Sequence, residues 1–271
     1  MVSARIPVHG GDLHAEIIVD ESAPARATVL FLHGWTLDRR MWAPQLAALA
    51  PPYRLIGIDR RGFGRSTAPA DLSAEADDVL KTLDFLEIGR AFIVGMSQSG
   101  RVAAEFALRR PDRVAGLVLQ GARIGASRNS TPDDEIPLNE FSALCRAGRL
   151  SEMKAKWRAH PLMQVANSES ANLLDLILAD YDGRDMIVPN ARSAELDASA
   201  VAGISQPTLV ITGEKDTNQR RAIADAQARL IADAKRVEIG NAGHICNICA
   251  SEEYNRILVD FIEENFGALA D

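Results

Sequence analysis

The most informative stretch of the sequence is Val94-Gly95-Met96-Ser97-Gln98-Ser99-Gly100, because it joins a predicted strand to a predicted helix. Ala91–Met96 is an apolar run of strand length, and Gln98–Arg109 carries apolar residues at helical spacing. The stretch approximates the Gly-x-Ser-x-Gly pattern, in which the serine lies on a strained turn at the top of a sheet. A side chain at Gly95 would collide with the neighbouring backbone. We therefore expect Ser97 to present its hydroxyl group at the carboxyl edge of a sheet.

One position departs from that pattern. Ser99 stands where the pattern has a glycine, and Gly100 follows it immediately. Because serine adds only one hydroxyl group, we expect the turn to form. The strand before the motif and the helix after it support the same assignment.

Short apolar runs alternate with helical patterns on both sides of this turn. That alternation predicts an α/β fold, with a mostly parallel eight-stranded sheet flanked by helices. The predicted strands are Ile6–Val8, His14–Val19, Ala27–Leu32, Arg54–Ile58, Ala91–Met96, Val114–Leu119, Pro207–Thr212 and Arg236–Ile239. The predicted helices between and after them are Met41–Ala50, Asp71–Leu86, Gln98–Arg109, Gln219–Ala232 and Ser251–Phe266.

The alternation breaks between residues 121 and 206, where the sequence predicts only helices. These are Leu138–Arg149, Ser151–His160, Ser168–Tyr181 and a short piece near Asn190–Leu196. Such an insertion after the sixth strand predicts a helical cap over the carboxyl ends of the strands, where open α/β sheets bind ligands. The expected core domain is then 1–120 and 207–271, with 121–206 as the cap subdomain. The alternative is a packing embellishment with no role in substrate binding.

A serine hydroxyl needs a base and an orienting acid to become a nucleophile. In sheets of this kind the chain order is serine, acid, histidine, and only His160 and His244 follow Ser97. His160 lies inside the helical insertion, whereas His244 follows the last predicted strand at the expected edge of the sheet. His244 is therefore the candidate base, with an ordinary surface-loop histidine as the alternative.

The orienting acid should follow the strand before that histidine. Asp216 lies in the loop Gly213-Glu214-Lys215-Asp216, directly after such a strand, and is the preferred candidate. Glu214 is the alternative in the same loop. Asp59 is a third choice, because it follows a strand but precedes the serine in the chain.

Acyl transfer also needs hydrogen-bond donors for the negative charge that develops on the carbonyl oxygen. The backbone N–H of Gln98 is one candidate, since it follows the serine at a helix N-terminus. The backbone N–H of Trp35, in the loop His33-Gly34-Trp35-Thr36, is the other. Trp35 is alternatively an ordinary core aromatic residue, and the two roles are compatible.

Five stretches, each at the end of a predicted strand, together resemble the α/β-hydrolase superfamily across almost the whole chain. They are His33-Gly34-Trp35, the Asp59–Ser66 loop, Gly95–Gly100, Gly213–Asp216 and Gly243-His244. The resemblance implies a catalytic triad of Ser97, Asp216 and His244 and, for the glycine-rich Asp59–Ser66 loop, a structural role. Within the superfamily, the loop at Trp35 is similar to that of small bacterial carboxylesterases, and lactonases share the same triad and cap.

This resemblance implies hydrolysis of a small-molecule carboxylic ester through an acyl-enzyme on Ser97, or of a lactone (acyl-homoserine lactone or enol-lactone) with the same residues. Serine at this position argues against haloalkane dehalogenases and epoxide hydrolases, which use aspartate. A C–C bond hydrolase is disfavoured because the loop at Trp35 lacks extra glycines. A perhydrolase is disfavoured because Thr36 stands where proline is usual, and a ligand receptor because the triad is intact. Trp35, Phe141 and Trp157 are the candidate substrate-binding side chains, although most apolar cap residues should form the core of the cap.

Composition excludes several classes of protein. The chain has 271 residues, with 30 Lys plus Arg against 37 Asp plus Glu and a formal net charge of −7, which argues against nucleic-acid binding. No apolar run reaches the roughly 18 residues of a membrane span, and residues 1–20 lack the apolar core of a signal peptide. Three cysteines are too few for a secreted disulfide scaffold, which favours a cytoplasmic location. The pair Cys246 and Cys249 is incomplete as a zinc site, so we expect no metal and no cofactor.

Overall fold

A single eight-stranded sheet organises the computed structural model, which describes residues 1–20, 22, 24–125, 133–188 and 195–266. The strands are β1 (Val2–Val8), β2 (Gly11–Ile18), β3 (Thr28–Leu32), β4 (Arg54–Asp59), β5 (Ala91–Met96), β6 (Val114–Gln120), β7 (Thr208–Gly213) and β8 (Ala234–Ile239). They lie in the order β1-β2-β4-β3-β5-β6-β7-β8. Strands β1 and β2 are antiparallel to their neighbours, and all other pairs are parallel.

Helices cover both faces of the sheet and follow most of its strands. They are α1 (Ala43–Ala48), α2 (Glu75–Phe85), α3 (Gln98–Arg109), α4 (Leu138–Arg146), α5 (Leu150–Arg158), α6 (Ser168–Asp180), α7 (Ala198–Ala202), α8 (Asn218–Leu230), α9 (Cys246–Cys249) and α10 (Ser251–Phe266). Every residue of β5 and β6 is buried, as expected for central parallel strands covered on both sides. Two apolar cores result, one on each face, and the predicted fold class is confirmed.

Some predicted boundaries were wrong, for local reasons. Strand β1 begins four residues earlier than predicted, because Val2 pairs with Ile17 in a long hairpin whose edge strand is largely exposed and has little apolar pattern. Helix α2 begins at Glu75 and not at Asp71, because the Asp71 carboxylate accepts the Ser73 N–H at 3.0 Å and forms a separate turn.

The predicted helix Met41–Ala50 is split. Arg39–Trp42 is a 3-10 helix capped by the Asp38 side chain, and α1 follows with a proline in its first turn. The polar and proline residues at this junction favour a tight first turn and a new helix start over one continuous helix.

The described residues between β6 and β7 contain helices α4 to α7, three-residue 3-10 turns and no strand. Helix α7 was not predicted. The helix expected near Asn190–Leu196 falls largely on residues 189–194, outside the described residues, and Glu195 and Leu196 are not helical. The segment between β6 and β7, with helices α4 to α7, is called the cap below; its limits of 121–206 and its role as a subdomain over the site remain a prediction.

No helix among the described residues is both long enough and apolar enough to span a bilayer.

Candidate functional site

Ser97 lies at the turn between β5 and α3 with φ 55° and ψ −112°, a conformation that a residue other than glycine rarely adopts. The turn requires small neighbours. A Cβ at Gly95 would lie 2.6 Å from the Ser99 carbonyl oxygen and 2.8 Å from the Gly100 Cα. The Ser97 N–H donates to the Gln120 carbonyl at 2.7 Å, which ties the turn to the end of β6. The strained backbone is therefore fixed by packing and by a neighbouring strand.

Ser99, the departure from the glycine pattern, is accommodated by hydrogen bonds. Its fully buried hydroxyl group accepts the Met96 N–H at 2.9 Å and donates to the Leu32 carbonyl at 2.7 Å. The hydroxyl thus links the end of β3 to the turn and leaves no polar atom of its own unsatisfied.

Asp216 and His244 form a buried pair beside Ser97. The Nδ1 of His244 lies 2.8 Å from Oδ2 of Asp216, and the other carboxylate oxygen accepts the Thr217 N–H at 2.7 Å. The Nε2 of His244 is buried without a hydrogen-bond partner among the described residues. Ser97 and His244 line the same small cavity, so the fold brings the two residues together.

The other acids and the other late histidine have different partners. Glu214 accepts the Asn241 N–H at 2.8 Å and so braces the loop that carries His244. Asp59 accepts hydrogen bonds from the Arg39 side chain and from the Arg65 N–H. His160 lies in the cap, where its Nδ1 accepts the Leu162 N–H at 3.2 Å. The geometry favours Asp216 over both alternative acids.

The two candidate oxyanion donors lie on either side of the serine turn. Gln98 is the first residue of α3, so its N–H has no acceptor within the helix. Trp35 follows Gly34, where a Cβ would come within 2.5 Å of the Met96 sulfur. Glycine at this position lets the Trp35 loop approach the end of β5 without displacing the Met96 side chain.

The three aromatic residues singled out for substrate binding form one cluster. The rings of Trp35 and Trp157 are 4.9 Å apart, those of Trp35 and Phe141 are 6.2 Å apart, and those of Phe141 and Trp157 are 6.3 Å apart. All three side chains are buried. Trp35 comes from the core and the other two from cap helices, so the cluster joins the two parts of the chain.

Two indole hydrogen bonds connect the Trp35 loop to the cap. The Trp35 Nε1–H donates to Asp185 at 2.8 Å. In the opposite direction, the Trp157 Nε1–H donates at 2.7 Å to the Thr36 hydroxyl, which itself donates to the Trp35 carbonyl at 2.7 Å. Thr36 has φ 61°, so the loop is strained at this residue and is held there by the cap.

Asp185 is a buried carboxylate with uncharged partners. Its second oxygen accepts the Tyr181 hydroxyl at 2.6 Å. Burial raises the pKa of Asp185, an effect that the hydrogen bonds from Tyr181 and Trp35 oppose. Burial and the nearby Asp185 also raise the pKa of Tyr181. No feature of the sequence distinguished Asp185 from the other acids of the insertion.

Ion pairs support the core loops around the site. Arg60 bonds Glu75 at 2.6 Å and Arg61 bonds Asp78 at 2.5 Å, with all four side chains buried. The neighbouring His33 accepts the Arg60 N–H at Nε2, and burial together with the Arg60 charge lowers its pKa to about 4. These contacts support the structural role that the resemblance implied for the Asp59–Ser66 loop.

Sequence reasoning missed three residues that hold the acid and histidine loops. Gln120 donates to the His244 carbonyl at 3.1 Å, and Arg220 donates to the Gly121 carbonyl at 2.9 Å. Arg220 also pairs at 2.7 Å with Asp134, a buried residue near the start of the insertion. Gln120 had a usable signal, since it is a polar residue ending an apolar strand at the same edge as Ser97.

No group of three or more His, Cys, Asp or Glu in the described ranges is arranged to hold a metal ion. Cys246 is fully buried and Cys249 partly buried in α9, both as free thiols. Burial raises the pKa of both thiols, which keeps them protonated and unreactive.

Comparison with known proteins places this geometry in a family. A family model of the α/β hydrolases matches residues 29–257. The chain belongs to the α/β hydrolase family. This α/β hydrolase is 29% identical to a 2-hydroxy-6-oxononadienedioate/2-hydroxy-6-oxononatrienedioate hydrolase of Cupriavidus pinatubonensis, over 96% of this chain and 95% of that protein. It is 27% identical to a putative carbamate hydrolase of Rhizobium rhizogenes, over 88% of this chain and 94% of that protein.

Among solved structures, the chain is similar to the enol-lactonase of Burkholderia xenovorans LB400. The two share 26% identity with a TM-score of 0.78, and the match covers 96% of this chain and all of that one. Together with the family, these relatives support a serine hydrolase.

Proposed function

We propose that this α/β hydrolase cleaves carboxylic esters through an acyl-enzyme on Ser97. The observation that carries the proposal is the Asp216–His244 pair, bonded at 2.8 Å, because His244 lines a cavity with Ser97 and its Nε2 has no hydrogen-bond partner among the described residues. A serine on a strained turn beside a histidine oriented by a buried carboxylate is the arrangement that nucleophilic catalysis by serine requires.

In the first half-reaction, the Ser97 oxygen bonds to the ester carbonyl carbon while its proton passes to Nε2 of His244. The Asp216 carboxylate stabilises the imidazolium that forms. The bond between the carbonyl carbon and the alkoxy oxygen then breaks, and the leaving alcohol takes the proton from Nε2. In the second half-reaction, water attacks the acyl carbon and gives a proton to Nε2. That proton returns to the Ser97 oxygen as the carboxylic acid leaves.

The negative charge on the carbonyl oxygen is held by the backbone N–H groups of Trp35 and Gln98. Removing one such donor typically costs about 10² to 10³ in rate, so both matter to the proposal. The position of Gln98 at the N-terminus of α3 adds the partial positive charge of the helix.

A lactonase is the second candidate, supported by the likeness to the enol-lactonase. It needs the same residues, but the leaving oxygen stays attached to the acyl group. Likeness to the 2-hydroxy-6-oxononadienedioate hydrolase supports C–C bond hydrolysis as a further alternative. Initial rates measured side by side rank the three candidate activities. The substrates are an open-chain ester, a lactone and a vinylogous diketone.

The test of the nucleophile is the Ser97→Ala variant with an activated short-chain ester and with a fluorophosphonate probe. We expect turnover to fall by about 10⁴- to 10⁶-fold and labelling to disappear, because both need the serine oxygen. The matched control is Ser73→Ala, which removes an exposed serine from the turn before α2. Near wild-type turnover by a folded Ser97→Ala variant would refute the proposal, and absence of labelling in the wild type would favour a non-catalytic receptor.

A further inference from the structure

Trp35 lines two cavities of very different size. The cavity at Ser97 and His244 has a volume of about 20 Å³, enough for little more than one water molecule. The second cavity, called here the cap chamber, has a volume of about 720 Å³ and is lined by Trp35, Gln98, Phe63, Met186 and Asp185 among others. The small cavity cannot hold both the acyl half and the alcohol half of an ester. An ester with one long half therefore fits the site only if that half enters the cap chamber.

The chemistry of the proposed reaction decides which half that is. His244 protonates the leaving oxygen, so the alcohol must lie beside His244, in the small cavity. The carbonyl oxygen points at the N–H groups of Trp35 and Gln98. Both of these residues line the cap chamber, and His244 does not. The acyl chain therefore extends away from His244, into the chamber.

The wall of the cap chamber is acidic. Its described lining carries four carboxylates, those of Asp71, Glu75, Asp185 and Glu195, against the two guanidinium groups of Arg101 and Arg146. The two buried carboxylates differ in their hydrogen-bond partners, because Glu75 pairs with Arg60, whereas Asp185 accepts from the Trp35 indole and the Tyr181 hydroxyl and feels the Arg60 charge only at longer range. When ionised, Asp185 repels a second negative charge placed near it in this poorly solvated space.

We infer that the cap chamber binds the acyl half of the substrate, that the small cavity takes a small alcohol, and that Asp185 is a specificity-determining residue that rejects acyl chains ending in a carboxylate. This inference rests on the proposed ester hydrolysis at Ser97. It assigns a substrate class to the same site: esters of a small alcohol with a long, uncharged acyl chain.

Two isomeric esters test the assignment of the halves. Methyl hexanoate and pentyl acetate have the same composition, so they differ only in which side of the carbonyl is long. We expect kcat/KM for methyl hexanoate to be at least about tenfold higher, as measured by titration of released acid, since a misplaced chain loses its pocket contacts. Equal values, or a preference for pentyl acetate, overturn the inference. Hydrolysis of neither ester would instead contradict the proposed function.

A charged analogue tests the role of Asp185. Monomethyl adipate carries a carboxylate at the far end of a similar acyl chain. We expect the wild type to prefer methyl hexanoate over it by at least about tenfold in kcat/KM, and the Asp185→Asn variant to lose most of that preference. The matched control is Asp182→Asn, which removes the same charge from an exposed residue of the same segment that pairs with Arg184.

The ratio between the two substrates is the readout, so a general loss of activity in Asp185→Asn does not affect it. An unchanged ratio in Asp185→Asn overturns the role of Asp185, as does an equal change in Asp182→Asn. A wild type that prefers monomethyl adipate overturns the assignment of the chamber to uncharged chains.

Discussion

The carboxyl edge of the sheet and the cap contact the candidate site in different ways. At the edge, charged side chains pair in the interior, as Arg60 does with Glu75 at 2.6 Å. Around Trp35 the cap contributes hydrogen bonds from uncharged donors, such as Trp157 Nε1 to the Thr36 hydroxyl at 2.7 Å, and its buried ion pair, Asp134 with Arg220, lies at the acid loop instead. Removing one partner of a buried ion pair lowers the stability far more than the loss of one neutral hydrogen bond does.

This difference separates two tasks. The edge holds Ser97, Asp216 and His244 at fixed positions, which the proposed chemistry needs whatever the substrate. In the proposed function, the cap lines the space beside them and thereby sets its size and charge. We therefore expect substitutions at the edge to change the rate or the stability strongly, and substitutions in the cap to change them by smaller amounts.

The largest effect is expected at the edge, in Asp216→Asn. An amide at this position can hold the imidazole in the wrong tautomer, so kcat should fall by about 10⁴-fold with little change in KM. Steady-state kinetics on an activated ester measures this, and circular dichroism checks the fold.

The matched control is Glu214→Gln in the same loop. The glutamine can still accept the Asn241 N–H, so we expect a loss of less than about tenfold. If Glu214→Gln were the more damaging substitution, the assignment of the acid would pass to Glu214.

At the edge, the buried side chain of His33 should make the stability of the fold depend on pH. His33 is fully buried and its pKa is lowered to about 4, whereas an unfolded histidine titrates near 6.5. Below pH 6.5 the unfolded chain therefore binds a proton that the folded chain does not, and stability falls as the pH falls. The free energy of unfolding should drop by about 1 to 2 kcal/mol between pH 6.5 and pH 5 from this residue.

Urea unfolding at several pH values measures the slope. His33→Gln removes the titrating group, so its stability should depend less on pH in this range, even if the variant is less stable throughout. The same slope in both proteins would show that His33 does not control this dependence.

The sequence was sufficient to predict most of the edge. Its parallel strands are apolar runs that end at recognisable residues, so Ser97, Asp216 and His244 could each be placed at the end of a strand. The contact of Glu214 with Asn241 could not be predicted in this way. Sequence preferred Asp216 over Glu214 as the acid, but only the turn geometry shows that Asp216 meets His244 while Glu214 meets Asn241.

The cap was predicted only as a set of helices. Amphipathic spacing shows which face of a helix is buried, but it does not specify which residue of another element it contacts. The bond between Trp35 and Asp185 joins residues 150 positions apart, and it depends on how the cap lies on the core. The charge of the cap chamber, and with it the proposed selectivity, was therefore not accessible from sequence patterns.

The smallest effect is expected in the cap, in Trp157→Phe. Phenylalanine keeps an aromatic ring against Trp35 but removes the N–H that the Thr36 hydroxyl accepts. Because Thr36 in turn bonds the Trp35 carbonyl, the proposed oxyanion donor becomes less well positioned. We expect kcat to fall by about tenfold and KM to change by less than about threefold, the scale of one hydrogen bond.

Trp42→Phe is the matched control in the core. The Trp42 Nε1 is buried without a hydrogen-bond partner among the described residues, so the substitution removes ring volume and no hydrogen bond. It should lower the melting temperature through lost packing while kcat stays within about twofold of the wild type. Equal losses of kcat in the two variants would mean that ring volume, and not the hydrogen bond from the cap, positions the Trp35 loop. A loss confined to Trp157→Phe would show that a single cap contact tunes a catalytic step whose groups all lie in the core.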